Sequence, residues 1–193
     1  MAIRNLSKAK EASIIAISAA IYSVFFSLSV VLTLPGFTIL YLPVILLGVF
    51  PLWFGWSGLA GSMIGAFIGG AFVEGLGFTG VIESVTALII YGLNWILIPQ
   101  KATEVKTKRN LFLLLVVFAV SLFVGTSYIF WQYVILGVFE ARTAELFFLP
   151  TFGLNLAIQW IICPVLIKRL SPKLKSLGIY SGSFREWRRR QVN

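Results

Sequence analysis

The sequence predicts an all-α membrane protein, a bundle of six transmembrane helices with both termini in the cytoplasm, and three observations predict it. Hydrophobic residues make up 59% of the chain and charged residues only 12%, against roughly a quarter charged in a soluble domain. Residues 12 to 73 carry no charge at all, far more than a buried soluble helix requires. The basic residues then sort to one side of a six-span arrangement.

A helix crosses the hydrocarbon in about 20 residues, so the uncharged run ahead of Glu74 holds two or three crossings. Its breaks are expected at Leu34-Pro35-Gly36-Phe37 and from Phe50-Pro51 to Gly55, where proline and glycine punctuate the pattern. The expected spans are 12–34, 39–54, 56–73, 81–99, 111–138 and 146–168. Residues 1–170 form the membrane domain and 171–193 a basic cytoplasmic tail. Segments such as 39–50 and 111–120 are apolar on every side, which excludes the alternation of a membrane β-barrel. The first apolar segment runs well past the length of a signal sequence core, so it is expected to stay as an anchor.

Charge chooses between two and three early crossings. With three, the N-terminus, the 101–109 loop and the C-terminal tail share a side, and of the 16 basic residues only Arg142 falls opposite. That is the positive-inside distribution. Two crossings would split the basic residues between the sides. The net charge of +9 is thereby explained by topology and by attraction to the anionic inner leaflet of the cell membrane, and nucleic acid is not an expected partner.

Several chemistries are excluded by composition. All seven acidic residues are glutamates, and histidine is absent, which removes Ser-His-Asp triads, aspartyl protease dyads, histidine-based zinc sites and Asp-rich magnesium motifs. No phosphate-binding Gly-x-x-x-x-Gly-Lys-Ser/Thr loop occurs. No catalytic residue, metal or cofactor is expected, and the chain reads as something other than an enzyme. The single cysteine, Cys163, lies mid-span and reads as a packing residue.

Within the spans, Gly58, Gly61, Gly65 and Gly69 recur at intervals of three and four, a face without side chains suited to close helix contact. Ala12, Ala16 and Ala20 form a second small-residue stripe, which serves either internal packing, the reading that spacing favours, or docking of another subunit. Thr151, Asn155 and Gln159 share one face of the last span, and Tyr128, Trp131 and Gln132 one face of the fifth. Glu83 sits near the outer end of the fourth span with Ala87, Ile90 and Asn94 below it. A lone carboxylate placed deep costs about 3 kcal/mol, so Glu83 must reach water, a partner or a ligand. Each residue singly also fits a packing or interfacial role. Together they describe a small-molecule pocket opening outward, with Phe37, Thr38 and Tyr41 placed to cap it. Its mouth carries Glu74, Glu83, Glu140 and Glu145 against Arg142, so a neutral or cationic ligand is expected.

These features carry a resemblance. Ala16-Ile-Ser-Ala-Ala20, then Leu42-Pro43 with Gly48 and Phe50-Pro51, the glycine run Gly55, Gly58, Gly61 and Gly65, and Pro150 through Asn155 to Lys168-Arg169-Leu170 are similar to the substrate-binding S component of energy-coupling factor (ECF) transporters. The resemblance covers residues 8 to 170. Where many members carry an acidic residue after the glycine run, this chain has Ala66-Phe67-Ile68-Gly69-Gly70. The resemblance implies uptake of a vitamin or related micronutrient and docking of the Ala12, Ala16 and Ala20 face on a transmembrane T component driven by two cytoplasmic ATPase subunits. It also implies that the S component topples in the membrane. The missing histidines set the chain apart from nickel and cobalt members. The competing expectation is a structural membrane scaffold, of the kind that organises cell-wall synthesis, without a tight ligand. A glutamate-dependent membrane transferase or protease is a third reading, weakened by the lack of acid–base partners.

Overall fold

A computed structural model of the chain describes residues 7–30, 40–74, 77–138 and 140–192, and the regular secondary structure among them is all helical. The order is α1 (Lys8–Val30), α2 (Val44–Glu74), α3 (Gly77–Leu97), a 3-10 turn (Gln100–Glu104), α4 (Lys108–Ile135), α5 (Ala141–Ser176) and α6 (Phe184–Val192). Five of these, α1 to α5, are long and apolar enough to cross a membrane. Six crossings were expected, because 39–54 and 56–73 were read as separate spans. In the structure they are two helical segments that meet at a break at Gly55, together labelled α2.

The break reverses the chain. Gly55 has φ 53° and ψ −129°, a backbone conformation open to glycine and strained for residues with a Cβ. Beyond it the helix folds back, so that a Cβ on Gly58 would lie 3.3 Å from the Phe50 carbonyl oxygen. Contacts fix the directions. Along α5, Gln159, Cys163 and Ser171 meet Val44, Ile45 and Trp53 in turn, so residues 44–54 run parallel to α5. Along α3, Gly80, Ser84 and Tyr91 meet Gly70, Met63 and Gly58, so residues 56–74 run the opposite way. The first limb spans about 16 Å at 1.5 Å per residue, and its residues 44–53 are all buried.

Pro51 lies inside this limb. It has no N–H for the Leu47 carbonyl, and Asn94 Nδ2 donates to that oxygen at 3.0 Å. Ser121 Oγ completes the arrangement by donating to Asn94 Oδ1 at 2.6 Å. Asn94 is therefore held by backbone repair and by α4.

The glycines of the second limb make the close approach to α1. A Cβ at Gly61 would lie 2.6 Å from the Ile15 carbonyl oxygen, one at Gly65 2.6 Å from that of Ala19, and one at Gly69 2.6 Å from the Phe26 ring. Backbones this near exclude any side chain between them. Gly58 faces elsewhere, toward the Tyr91 hydroxyl. On α1 the packed residues are Ser18, Ala19, Tyr22, Phe26 and Ser29, and Ala12, Ala16 and Ala20 are exposed on the other face.

The two ends of the bundle differ. At one, Ser57 Oγ donates to Glu11 Oε1 at 3.3 Å, and Glu104 pairs with Lys106 at 2.6 Å and Lys175 at 3.3 Å. The hydrogen bond from Lys106, then that from Lys175, hold the Glu104 carboxyl below its ordinary range. The chain after α5, which continues to Ser176 beyond its expected end, folds onto this basic end. Ser181 and Gly182 N–H groups donate to the Trp53 and Leu52 carbonyls at 2.9 and 2.8 Å, satisfying the end of the first limb. Trp95 donates through Nε1 to the Gly182 carbonyl at 3.1 Å and packs on Phe184 and Trp187. Ser183 N–H donates to Glu186 Oε2 at 2.9 Å, the return half of a capping box at the start of α6.

The outward faces are apolar, with Phe72, Phe112, Leu149 and Ile161 each well exposed. Such a belt is compatible with a multi-pass membrane protein.

Candidate functional site

The end opposite the basic residues gathers a buried polar cluster drawn from every part of the bundle. Glu83, near the start of α3, is only 4% exposed. The Tyr41 hydroxyl donates to its Oε2 at 3.1 Å and the Tyr133 hydroxyl, from α4, to its Oε1 at 3.4 Å. Tyr22, from α1 and fully buried, shares a 2.6 Å hydrogen bond with the Tyr41 hydroxyl. Phe26 meets the Tyr41 ring edge-on, with centroids 5.5 Å apart.

Tyr41 is also the link to α5. Its backbone N–H donates to Asn155 Oδ1 at 2.7 Å, and the next N–H, of Leu42, donates to Ser29 Oγ at 2.9 Å. These two side chains fix the residues leading into α2, where helix N–H groups lack partners. Asn155 Nδ2 donates to the Thr151 carbonyl at 2.8 Å. One turn further along, Gln159 Nε2 donates to the Val44 carbonyl at 3.2 Å. Thr151 Oγ1 and Gln159 Oε1 are buried with no hydrogen-bond partner among the described residues. Groups so placed are costly unless something occupies them.

The structure thus brings together five of the residues expected to bind substrate: Glu83, Tyr41, Asn155, Thr151 and Gln159. It does not bring the expected face of α4. Trp131 points outward and is 64% exposed, and Tyr128 and Gln132 are half-buried. The inward face of α4 instead carries Ser121, Gly125, Thr126, Phe130 and Tyr133. Because α4 is apolar around most of its circumference, its sequence pattern does not choose a face. Phe37 and Thr38 lie outside the described residues. Cys163 donates weakly to the Ile45 carbonyl at 3.4 Å and is buried.

Two members of the cluster, Tyr22 and Tyr133, escaped the sequence reading. The signal for Tyr22 was its place four residues after Ser18 and three after Ala19, on the face that meets the glycine run.

Chemically, the described residues of the cluster offer one carboxylate, three phenolic hydroxyls and two amides. Each carboxylate oxygen accepts from a different tyrosine. Among the described side chains Glu83 is the carboxylate of the cluster, and the sequence contains no histidine. The arrangement suits recognition of a ligand by charge, hydrogen bonds and ring faces.

No family model matches this chain, and no curated protein or solved structure matches it.

Proposed function

We propose that this protein is a membrane-embedded substrate-binding subunit for uptake of a small micronutrient, acting with partner ATPase subunits through a transmembrane coupling protein. One observation carries the proposal: a buried carboxylate held by tyrosines, with neighbouring amides and a hydroxyl that has no partner among the described residues, at the end of the bundle away from the basic cluster. A protein that only fills space in a bilayer gains nothing from burying such groups.

The proposed topology has six passes in the cell membrane, counting the two limbs of α2 separately, with both termini cytoplasmic. Lys8 and Lys10, the 101–109 loop and the residues after Lys168 share one end of the bundle, in line with the positive-inside rule. Glu83 then faces the outside, where a nutrient arrives. The exposure of Ala12, Ala16 and Ala20 on α1 supports a docking role for that stripe, since a lipid-facing helix has no need of a row of small residues and a partner helix does.

The test is purification in mild detergent from the native host, followed by native mass spectrometry of the intact complex. A co-purifying small molecule together with a membrane coupling subunit and ATPases is the expected result. A bare chain accompanied by cell-wall synthesis proteins refutes the proposal and supports a scaffold.

A further inference from the structure

We propose that α6 is an interfacial helix whose arginines bind the anionic phospholipid headgroups of the leaflet at the basic end of the bundle. This surface lies at the opposite end from Glu83, so the proposal stands or falls separately from the substrate-binding reading.

The first argument is depth. The Ser181 and Gly182 N–H groups donate to the Trp53 and Leu52 carbonyls, and the Gly182 carbonyl accepts from Nε1 of Trp95, which lies two residues before the end of α3. Trp53 Nε1 in turn donates to Ser171 Oγ at 3.0 Å, just past Lys168 and Arg169 on α5. These bonds hold the start of α6 at the level where α3 and α5 pass from apolar to basic sequence, which is where headgroups lie. Phe184 and Trp187 seat one side of α6 on Trp95, with ring centroids 5.2 Å away in each case. Leu177, in the turn ahead of α6, is 62% exposed, an apolar side chain suited to the acyl boundary of a leaflet.

The second argument is charge. Arg185, Arg188 and Arg189 are exposed along α6, and no ion pair among the described residues involves them. The described carboxylates of this end are engaged elsewhere: Glu186 accepts from the Ser183 N–H, Glu104 pairs with Lys106 and Lys175, and Glu11 accepts from Ser57. The surface around α6 is therefore positive and calls for an anionic partner. A guanidinium presents a planar fork that fits two phosphate oxygens at once. An acidic protein would also meet the charge, but the depth of α6 and the exposed Leu177 beside it fit a leaflet, where phosphates lie next to acyl chains.

The experiment is thermal unfolding of the purified full chain in nonionic detergent micelles carrying rising mole fractions of dioleoylphosphatidylglycerol, with dioleoylphosphatidylcholine, glycerol phosphate and polyglutamate as separate arms. The anionic lipid should raise Tm in a saturable way, and the other three should not. Combining Arg185→Gln, Arg188→Gln and Arg189→Gln should raise the half-saturating fraction by about 10-fold or more, since each basic residue near an anionic surface contributes a gain of about 5-fold. Combining Lys8→Gln, Lys10→Gln and Lys108→Gln removes as much charge from α1 and α4 at the same end, and should raise it by less than about 3-fold because charge acts over a short, screened range. Should the arginine triple variant fail to fold, Arg189→Gln alone should raise the fraction by about 3- to 5-fold. No saturable response to the anionic lipid, or an equal loss in both triple variants, overturns the proposal. An equal response to phosphatidylcholine, to glycerol phosphate or to polyglutamate also overturns it, the last two by assigning the arginines to a soluble anion or an acidic protein.

Discussion

The Tyr41 hydroxyl donates to Glu83 Oε2 at 3.1 Å, tying the residues ahead of α2 to the start of α3. Tyr41→Phe removes this donor and the contact with Tyr22 while keeping the ring. It should weaken ligand binding by about 2- to 12-fold, the equivalent of roughly 0.5–1.5 kcal/mol for one hydrogen bond. Isothermal titration with the co-purified ligand measures it. An unchanged affinity would mean that Tyr41 serves the fold alone.

Gly65 and Gly92 should respond oppositely to an added methyl group or more. Gly65 has its Cβ position 2.6 Å from the Ala19 carbonyl oxygen, whereas Gly92, within α3, has nothing within 4 Å. Gly65→Val should destabilise by at least about 1–3 kcal/mol through overpacking, and Gly92→Ala should stabilise by about 0.5–1 kcal/mol through helix propensity. Thermal unfolding in detergent reads both.

Asn94 lies three turns along α3 from Glu83 on the same buried face and repairs the carbonyl left open by Pro51. Asn94→Leu should cost about 1–3 kcal/mol in stability by orphaning Leu47 O, while Ser121 Oγ keeps the Phe118 carbonyl at 3.1 Å as its acceptor. Ligand affinity of the folded fraction should be unchanged, and a large loss of affinity would place Asn94 in the site.

Ala16→Leu and Ala20→Leu enlarge exposed positions on α1. Stability and ligand binding should stay as they are while uptake in cells and co-purification of the coupling subunit are lost. Loss of folding instead would show that the stripe packs internally.

Much of the helical organisation was legible in the sequence, because uncharged stretches and the placement of lysine and arginine respond to the solvent that surrounds a helix. The turn at Gly55 was legible as a break in the pattern, although the satisfaction of the first limb's end by Ser181 and Gly182 depends on contacts across more than a hundred residues. Glu83, Asn155 and Gln159 stood out since polar groups in an apolar run need a reason. Tyr133 did not, because tyrosine is common in membrane helices and α4 is apolar on most sides, so nothing local distinguishes Tyr133 facing inward from Trp131 facing outward. The Ala12, Ala16 and Ala20 stripe could be assigned to a face only once Ser18 and Ala19 were seen against Gly61 and Gly65.

The central claim is that the buried Glu83 cluster binds the transported molecule. Its most direct test is equilibrium titration of the co-purified ligand into the wild-type chain and Glu83→Gln, with thermal unfolding of both as the folding control. The account predicts a loss of affinity of roughly 30-fold or more, as expected when a desolvated charge partner is removed, in a variant that remains folded. Equal affinity in the two folded proteins would contradict it.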